Sequence, residues 1–482
     1  MRALATHHPV EEVCLELEDH GTFRRSAVEF FGLTGNGAPR DPSAAAGRLA
    51  EQFVHHNRSI LAALDVHIDR DYDGRDVSLL IRSGSAVGAV PLYSPTSAQP
   101  DYGLVVQPRF PWMGIGPMLS EMGWRVGPSP LRLPLLRRSE RRVPPWVLSS
   151  MVLVRMNALL DSLDRRFEVV AEDRSAPRGS IDWGLYATTR LPRAHVLSIP
   201  CCFPDLRDDR QLKGAVRYTV EKQLRSLETQ VEHGAFVHRL LAFGRHIQSR
   251  VHSVPVHIPT RGTLDAWLRR PLRAQQFLDG VQGIQWTAED RGLAGISDLE
   301  GIPWRMPMDA FFEAWVETML RRVAQQAGGR LSVGRMRETV HALNWQPTYS
   351  GSQRALIPDF SIVFDGVTVI IDAKYKRHLE ELESHSWARV ESDLRDQHRH
   401  DLLQVLAYAA LATTPNVIAC LAYPCDATRW NSLRQRGRLH HHAEITVGAR
   451  TVRLWLTAVP MAIPTTEVAE SFSAELVPLL PR

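Results

Sequence analysis

The sequence lacks several features that would assign it to a common class of protein. No stretch approaches 18 uninterrupted apolar residues, so no membrane span is expected. The first residues, MRALATHHPVEEV, show no apolar run behind a basic start, so no signal peptide is expected. The chain contains no GxxxxGK[ST] loop, so nucleotide hydrolysis by that route is not expected. These absences predict a soluble, cytoplasmic protein without a P-loop.

Cysteine is scarce, and its spacing excludes two common uses. The five cysteines are Cys14, Cys201, Cys202, Cys420 and Cys425. An odd number without a secretion signal argues against a disulfide framework. Cys420 and Cys425 are too far apart for a CxxC pair, and no second ligand pair is present. We therefore expect buried or incidental thiols.

Lysine is rarer still. Of the 57 basic residues only four are lysines, at positions 213, 222, 374 and 376, and the others are arginine. The net charge of +4 and the pI of about 8.9 are weak indications of a nucleic-acid partner. A compositional bias of the whole genome is the simplest explanation for the arginines. It also makes the two lysines of the short segment Asp372-Ala373-Lys374-Tyr375-Lys376 more informative.

Changes in pattern divide the 482 residues into three segments. Residues 1–143 contain short apolar runs between Gly, Pro and Ser, which predicts a β-rich N-terminal domain. This segment ends in a charged run, 135–142, which is either a solvated surface or a patch that faces phosphates. Residues 144–300 show apolar spacings of three and four, which predicts a mostly helical middle domain. Residues 301–482 mix both patterns, so the predicted fold class is α+β, mixed and multidomain.

The third segment predicts helix, hairpin, helix and two further strands. We expect a helix capped by Asp309 and running to about Gln326. The expected strands and second helix are, in order, strands 357–364 and 367–374, helix 398–413, and strands 416–423 and 451–456.

The hairpin places charged residues together. Asp365-Gly366 between two β-branched and aromatic runs is a strong two-residue turn signal. If Phe364 pairs with Val367, the register places Asp359 opposite Asp372, with Cβ atoms about 4.5–5.5 Å apart. Lys374 is two residues further and points to the same face. The other face is apolar and consists of Phe360, Ile362, Phe364, Val367, Val369 and Ile371.

Two carboxylates and an ammonium at one end of a hairpin favour metal-assisted chemistry on phosphates. Like charges directly opposite each other destabilise a sheet unless something neutralises them. Mg²⁺ binds one or two carboxylates together with waters and substrate phosphate oxygens. Lys374 would position the attacking water and offset negative charge. The alternative is that Asp359 is a solvent-facing strand end, and that Asp372 and Lys374 form an ordinary surface pair.

Two helices could complete this site. Gln404 and Tyr408 are at i, i+4 and share one face of the second helix, where they could orient phosphates or a water. Glu313 flanks the apolar stripe of the first helix and could add a third carboxylate. The alternatives are a polar rim on a packing helix and a solvated glutamate.

These residues resemble the PD-(D/E)xK nuclease superfamily. The matching pieces are Pro358-Asp359, Asp372-Ala373-Lys374 and the QxxxY helix at Gln404–Tyr408, which is similar to the RecB-type branch. More narrowly, Phe312-Glu313, 357–359, 371–376 and 401–408 resemble McrC, the nuclease subunit of McrBC modification-dependent restriction systems. The resemblance is specific over about 310–412 and loose upstream, where 178–183 and 208–224 are similar to family segments.

The resemblance implies a C-terminal PD-(D/E)xK domain, with a mixed sheet flanked by helices, that cleaves DNA. It implies Mg²⁺, replaceable by Mn²⁺, on Asp359, Asp372 and Glu313, with Lys374, Gln404 and Tyr408 completing the catalytic set. It also implies an AAA+ McrB-like GTPase or ATPase as partner in restriction or anti-phage defence. The N-terminal domain would then dock on the motor or contact DNA. Cutting both strands could involve transient pairing of nuclease domains.

Two rival functions stay open at this point. One is a non-catalytic adaptor that activates an AAA+ ring, and the other is a stand-alone DNA repair or processing nuclease. The run His440-His441-His442 could suggest a metal site, but consecutive strand residues point to opposite faces, so we expect an ordinary surface.

Overall fold

The computed structural model groups the chain into two compact units, residues 1–144 with 292–482, and residues 145–291. It describes residues 13–34, 38–74, 76–134, 143–163, 166–207, 209–269, 275–293, 301–378, 392–447 and 450–480. The charged run 135–142, residue 208 and most of the spacer between Lys376 and Asp401 lie outside these residues. The α+β multidomain class predicted from the sequence is confirmed.

The described residues in the N-terminal part of the first unit form seven strands and three helices. The strands are β1 (Val13–Glu18), β2 (Thr22–Ser26), β3 (Val66–Asp73), β4 (Asp76–Ser83), β5 (Ala86–Leu92), β6 (Tyr102–Gln107) and β7 (Ser129–Pro130). The helices are α1 (Ala27–Phe30), α2 (Pro42–Ala63) and α3 (Trp112–Glu121). Strands β2, β4 and β3 form one antiparallel sheet, in that order.

Helix α2 is a feature that the β-rich prediction for residues 1–143 missed. It is 22 residues long and begins after Asp41, whose side chain accepts a hydrogen bond from the Ala44 amide. Proline occupies its first position, where the missing N–H costs nothing. Its buried positions include Ala46, Phe53 and Ile60, which recur at spacings of three and four when the intervening buried residues are counted.

The second unit is mostly helical, as the pattern of residues 144–300 predicts. Its helices are α4 (Trp146–Asp161), α5 (Trp183–Leu185), α6 (Arg210–Glu228), α7 (Ala235–Ser249), α8 (Arg261–Leu268) and α9 (Gln275–Ala288). A three-stranded antiparallel sheet accompanies them, with β8 (Arg166–Arg174), β9 (Ser180–Ile181) and β10 (Ile199–Arg207) in the order β8-β10-β9. Gly234, with φ of 115°, separates α7 from α6.

The C-terminal part of the first unit supplies the remaining elements. Its strands are β11 (Gly292–Leu293), β12 (Gly301–Ile302), β13 (Trp304–Pro307), β14 (Arg330–Val333), β15 (His341–Ala342), β16 (Ala355–Leu356), β17 (Phe360–Phe364), β18 (Val367–Ala373), β19 (Asn416–Cys425), β20 (His440–Val447) and β21 (Arg450–Pro460). Its helices are α10 (Met308–Ala327), α11 (Ser392–Ala409), α12 (Ala427–Gln435) and α13 (Thr465–Leu476).

Strand β13 joins the N-terminal and C-terminal parts of the first unit. It pairs with β5 and β7, so it completes a five-stranded sheet in the order β1-β6-β5-β13-β7. The sequence predicts separate domains at 1–143 and 301–482, whereas the contacts place both segments in one compact unit. The physical reason is that β13, from the C-terminal segment, pairs with two strands of the N-terminal segment. Trp304 lies opposite Ala89 on one side and Pro130 on the other.

A six-stranded mixed sheet carries the predicted hairpin. Its order is β14-β17-β18-β19-β21-β20. Strands β18, β19 and β21 run parallel, and the outer pairs are antiparallel. Strand β18 is central, so both of its faces are covered and only Ala373 of its seven residues is not fully buried. The expected mixed sheet with accompanying helices is therefore present.

The first helix of this domain begins differently from the prediction. Helix α10 begins at Met308 after Pro307, so Asp309 lies in its first turn and is not the cap. The helix ends as expected at Gly328, which adopts the left-handed conformation with φ of 73°. Phe312, Trp315 and Met319 form its buried face together with their neighbours.

Two smaller expectations concern thiols and membranes. Cys201, Cys420 and Cys425 are buried, as expected for incidental core thiols. Among the described residues, no helix combines the length and the apolar character that crossing a bilayer would need.

Candidate active site

The hairpin β17–β18 forms with the predicted register. Gly366 takes φ of 70° in the turn, and the pairs run from Phe364 with Val367 to Phe360 with Ile371. Asp359 comes directly before β17, and its Oδ2 accepts a hydrogen bond of 2.9 Å from the Ala373 amide. The side chain of Asp359 therefore reaches across to the end of β18, where Asp372 lies.

Asp372 and Lys374 form an ion pair at that strand end. Asp372 is 1% exposed, and its Oδ2 lies 2.7 Å from the Lys374 ammonium. This oxygen accepts no aligned hydrogen bond among the described residues. The Lys374 amide donates to Ala422 O on β19 at 2.9 Å, so the parallel sheet continues to the lysine and fixes its position.

The two aspartates repel each other in a dry environment. Burial, and next the negative charge of Asp372, raise the pKa of Asp359 well above its ordinary value. Burial lowers the pKa of Lys374, but the Asp372 carboxylate, together with Asp359 and Asp401, raises that pKa by more, so the net shift is upward. The lysine stays protonated, and the carboxylate pair favours a bound positive charge.

Helix α11 brings the predicted glutamine and tyrosine to the lysine. The Lys374 ammonium donates to Gln404 Oε1 at 3.1 Å, and Gln404 Nε2 donates to the Tyr408 hydroxyl at 2.9 Å. The spacing of four residues puts both side chains on one helix face. Lys374 is thus held between Asp372 on the strand and Gln404 on the helix.

Glu313 lies on the wall of the same cavity. Burial raises the pKa of its carboxyl group, the Arg335 charge opposes this, and Glu317, Asp309 and Asp372 add to it. Within the part of the chain that the structure describes, no three His, Cys, Asp or Glu side chains are grouped to hold one ion. The structure therefore brings Glu313 to the cavity with Asp359 without gathering a set of three ligands.

The cavity beside the hairpin has a volume of about 420 Å³. One part of its wall comes from the C-terminal segment and includes Asp309, Glu313, Asp359 and Lys374. Another part comes from N-terminal turns and consists of His20, Asp65, Gly84 and Ser85. Sequence reasoning missed this second part, because no local motif marks those residues.

Arg109 is a second contribution of the N-terminal segment that sequence reasoning missed. Its guanidinium lies over the Tyr375 ring and donates to Lys376 O at 3.2 Å. Asp19 is fully buried beside it and accepts a hydrogen bond of 2.7 Å from the Arg109 amide. The segment that contains Lys374 is therefore clamped from the N-terminal sheet.

A buried polar network supports the other end of that segment. The Lys376 ammonium lies 2.7 Å and 2.8 Å from the two oxygens of Asp401, at the centre of α11. The Tyr423 hydroxyl donates to the same carboxylate at 3.3 Å, and His378 Nε2 lies 3.6 Å from it. The scarcity of lysine marks Lys376 as informative in the sequence, but no sequence pattern predicts that it pairs with Asp401.

The histidine run lies far along the sheet from this cavity. His440 is half-buried, which corrects the expectation of an ordinary surface, and it packs on Trp455 and Phe472. His441 and His442 are exposed, as expected. His440 Nδ1 lies 3.1 Å from the Thr457 hydroxyl.

The fold and the site together define a mixed α/β domain with an aspartate pair, a lysine and a QxxxY helix. Residues 299–424 match the family model described as McrBC 5-methylcytosine restriction system component. That stretch is about a quarter of the chain and contains all the predicted site residues. The resemblance to McrBC restriction systems that the sequence predicts is confirmed over this stretch.

Two solved structures from Thermococcus gammatolerans are similar to the chain at low identity. A chain of the refined half-complex from the tetradecameric assembly of McrB AAA+ hexamers with bound McrC is 13% identical, with a TM-score of 0.42; the alignment covers 97% of this chain and 100% of that chain. A chain of the cryo-EM McrBC complex is 14% identical, with a TM-score of 0.25, over 64% of this chain and 88% of that one. No curated protein matches the chain.

Proposed function

We propose that the chain is the DNA-cutting subunit of an McrBC-like restriction system and hydrolyses phosphodiester bonds with Mg²⁺. The observation that carries the proposal is the convergence of Asp359, Asp372 and Lys374 at one strand end beside a cavity. The family match over 299–424 includes this strand end and supports the same conclusion.

The donor set fits a divalent cation. Asp359 and Asp372 are hard oxygen donors, and Asp372 Oδ2 accepts no aligned hydrogen bond among the described residues. The raised pKa of Asp359 reflects burial and repulsion that a cation would relieve. Asp359 and Asp372 would hold Mg²⁺, and Mn²⁺ would substitute, because Mg²⁺ needs only one or two carboxylates. Glu313 would approach as a third ligand.

The ion, when bound, supplies Lewis acidity and neutralises charge on the scissile phosphate. The protein residues do the rest. Lys374 presents its ammonium to the phosphate oxygens and to the attacking water, offsetting the charge that develops during displacement. Gln404, anchored by Tyr408, accepts from Lys374 and fixes the direction of that ammonium. Since both groups are already positioned, little reorganisation accompanies the reaction.

We propose that an AAA+ McrB-like GTPase or ATPase is the partner, and that the pair acts on DNA in anti-phage defence in the cytoplasm. The description of the matching family as one component of a restriction system supports a partner. One site cuts one strand at a time, so a transient pair of nuclease domains would cut both. Nicking whose rate does not depend on protein concentration would count against the pairing.

The experiment is cleavage of methylated and unmethylated plasmid, with Mg²⁺ or with EDTA, with and without an AAA+ McrB-like NTPase and its nucleotide. We expect cutting that needs Mg²⁺ and is strongest with the NTPase. Preference for the methylated plasmid would support the restriction system in particular. No cutting under any condition would contradict the proposal and favour an adaptor role.

A further inference from the structure

Residues 334–358, here called the arm, leave the sheet between β14 and β17 and return directly to Asp359. The base of the arm is tied to the site. The Gly334 amide donates to Asp359 O at 2.8 Å, and the Thr339 hydroxyl donates to Pro358 O at 2.6 Å. A Cβ at Gly334 would lie 2.5 Å from Pro358 O, so only glycine allows this close approach. The arm therefore begins and ends at the proposed catalytic centre.

The arm presents two aromatic side chains to solvent. Trp345 is 45% exposed and Tyr349 is 57% exposed, and their rings lie 6.3 Å apart at 80°. The Trp345 indole N–H donates to Gln353 O at 2.9 Å, so the ring is held by the returning half of the arm. The Trp345 ring is thus held in place and packs against Tyr349 while both rings stay open to solvent, which is typical of a contact surface for a ligand.

The charge of the arm favours a polyanion. Residues 339–358 contain no Asp or Glu. Arg337 and Arg354 are exposed, and neither side chain forms an ion pair with any residue that the structure describes. Arg335 differs, because it is paired with the buried Glu317 at 2.6 Å and anchors the base of the arm. Two unpaired guanidinium groups on an arm that also presents two exposed rings match a nucleic-acid strand better than a protein surface.

We propose that the arm contacts the DNA substrate next to the scissile phosphate, with Arg337 and Arg354 on the backbone and Trp345 and Tyr349 stacked on unpaired bases. This inference rests on the proposed function and names the surface that holds its substrate. Arginine binds phosphate through paired N–H donors, and aromatic rings accept any base because every base has a π-face. The contact is therefore tolerant of sequence and depends on salt.

The test measures DNA affinity apart from cutting. The full chain is titrated, in EDTA, into a fluorescein-labelled 20-nucleotide single strand, its duplex and an RNA of the same sequence, at several salt concentrations. The variants are Trp345→Ala/Tyr349→Ala and Arg354→Ala. The matched control is Trp183→Ala/Tyr186→Ala, a second T-shaped pair, 6.1 Å apart at 80°, in the other unit, where Trp183 is 65% exposed.

We expect the arm double variant to bind the single strand about tenfold more weakly or worse, with a smaller loss on the duplex. Arg354→Ala should reduce the slope of log affinity against log salt by about one, which is the change expected for the loss of one phosphate contact. The control should bind like the wild type. All these positions are on the surface, so unchanged thermal melting would show that folding is intact.

The outcomes separate this inference from the proposed function. Wild-type affinity and salt slope in the arm variants would overturn the proposed DNA contact of the arm. The proposed nuclease function would still stand if the chain cuts plasmid. Arm-dependent binding by a chain that never cuts would support the arm and contradict the nuclease. Equal losses in the control pair, tighter binding of RNA than of DNA, or no binding of any probe by the wild type would each overturn the arm as a DNA contact.

Discussion

The Arg109 guanidinium carbon lies 4.6 Å from the centroid of the Tyr375 ring, so the N-terminal segment packs on the residue that follows Lys374. Both side chains are buried, and Asp19 is fully buried beside them. An N-terminal arginine thus takes part in the architecture of a C-terminal site. The segment Asp372–Lys376 is held by contacts from the N-terminal segment and from helix α11.

Arg109→Ala should destabilise the chain by roughly 3–5 kcal/mol, because Asp19 would remain buried without its cation. Arg109→Lys should recover only part of this, since an ammonium cannot both cover the Tyr375 ring and reach Lys376 O as a planar guanidinium does. Urea unfolding of the variants measures both effects. A loss below about 1 kcal/mol for Arg109→Ala would show that the clamp is unimportant.

Asp359→Asn should stabilise the metal-free chain while abolishing cleavage. The pKa of Asp359 is raised in the folded state, so its protonated form stabilises folding, and this contribution is lost as pH rises through the folded pKa. In EDTA at neutral pH we expect the variant to be more stable by on the order of 1 kcal/mol. The difference should shrink as pH falls toward the ordinary aspartate value of 3.8.

Mg²⁺ should make the wild type more stable than Asp359→Asn. The ion stabilises only the state that binds it, so the melting temperature of the wild type should rise with Mg²⁺ concentration and that of Asp359→Asn should rise less. Thermal melting with and without Mg²⁺ measures this. Equal shifts in the two proteins would mean that Asp359 holds no ion.

Gln404→Ala should slow cleavage by about 10-fold or more, because the Lys374 ammonium would lose the acceptor that orients it. Tyr408→Phe should have a smaller effect, since it acts only through Gln404. Single-turnover cleavage at saturating protein separates these effects from DNA binding. Arg399→Ala, an exposed residue on the same helix, is the control and should cut normally. A larger loss for Tyr408→Phe than for Gln404→Ala would contradict this order.

His440 should make folding sensitive to acid. Burial, followed by the charges of His442 and His441, lowers the pKa of His440 from 6.5 to about 4. At pH values between 4 and 6.5, the unfolded chain binds a proton at this histidine and the folded chain does not. The stability of the fold therefore falls as pH drops from 6.5 to 4. Replacement by Gln should flatten this slope, while His441→Gln, on the opposite face, should not. Parallel slopes in urea titrations of all three proteins would contradict the assignment.

The hairpin was predictable because local rules determine it. A two-residue turn at Asp365-Gly366 fixes the first pair, and the period of two then places Asp359, Asp372 and Lys374 without knowledge of any other element. The QxxxY pair on α11 followed from helix periodicity alone. Its contact with Lys374 did not, because it depends on how α11 packs on β18 and β19.

The N-terminal contribution was not predictable from one sequence. Strand β13 pairs with β5 and β7 across more than 170 residues of chain, and Arg109 reaches Lys376 O across 267. Such pairings leave no periodic signal in either segment. Helix α2 is a different case, because Asp41-Pro42 and the spacing of its buried residues are local signals of a helix.

The central claim is tested most directly by plasmid cleavage with Mg²⁺, comparing the wild type with Lys374→Ala and with Lys213→Ala, a lysine of the other unit. Loss of a group that stabilises the transition state costs about 10²–10³ in rate. The account predicts that Lys374→Ala is nearly silent, melts like a folded protein and still binds DNA, while Lys213→Ala cuts normally. Cutting by Lys374→Ala at the wild-type rate would contradict the account and leave the hairpin without a catalytic role.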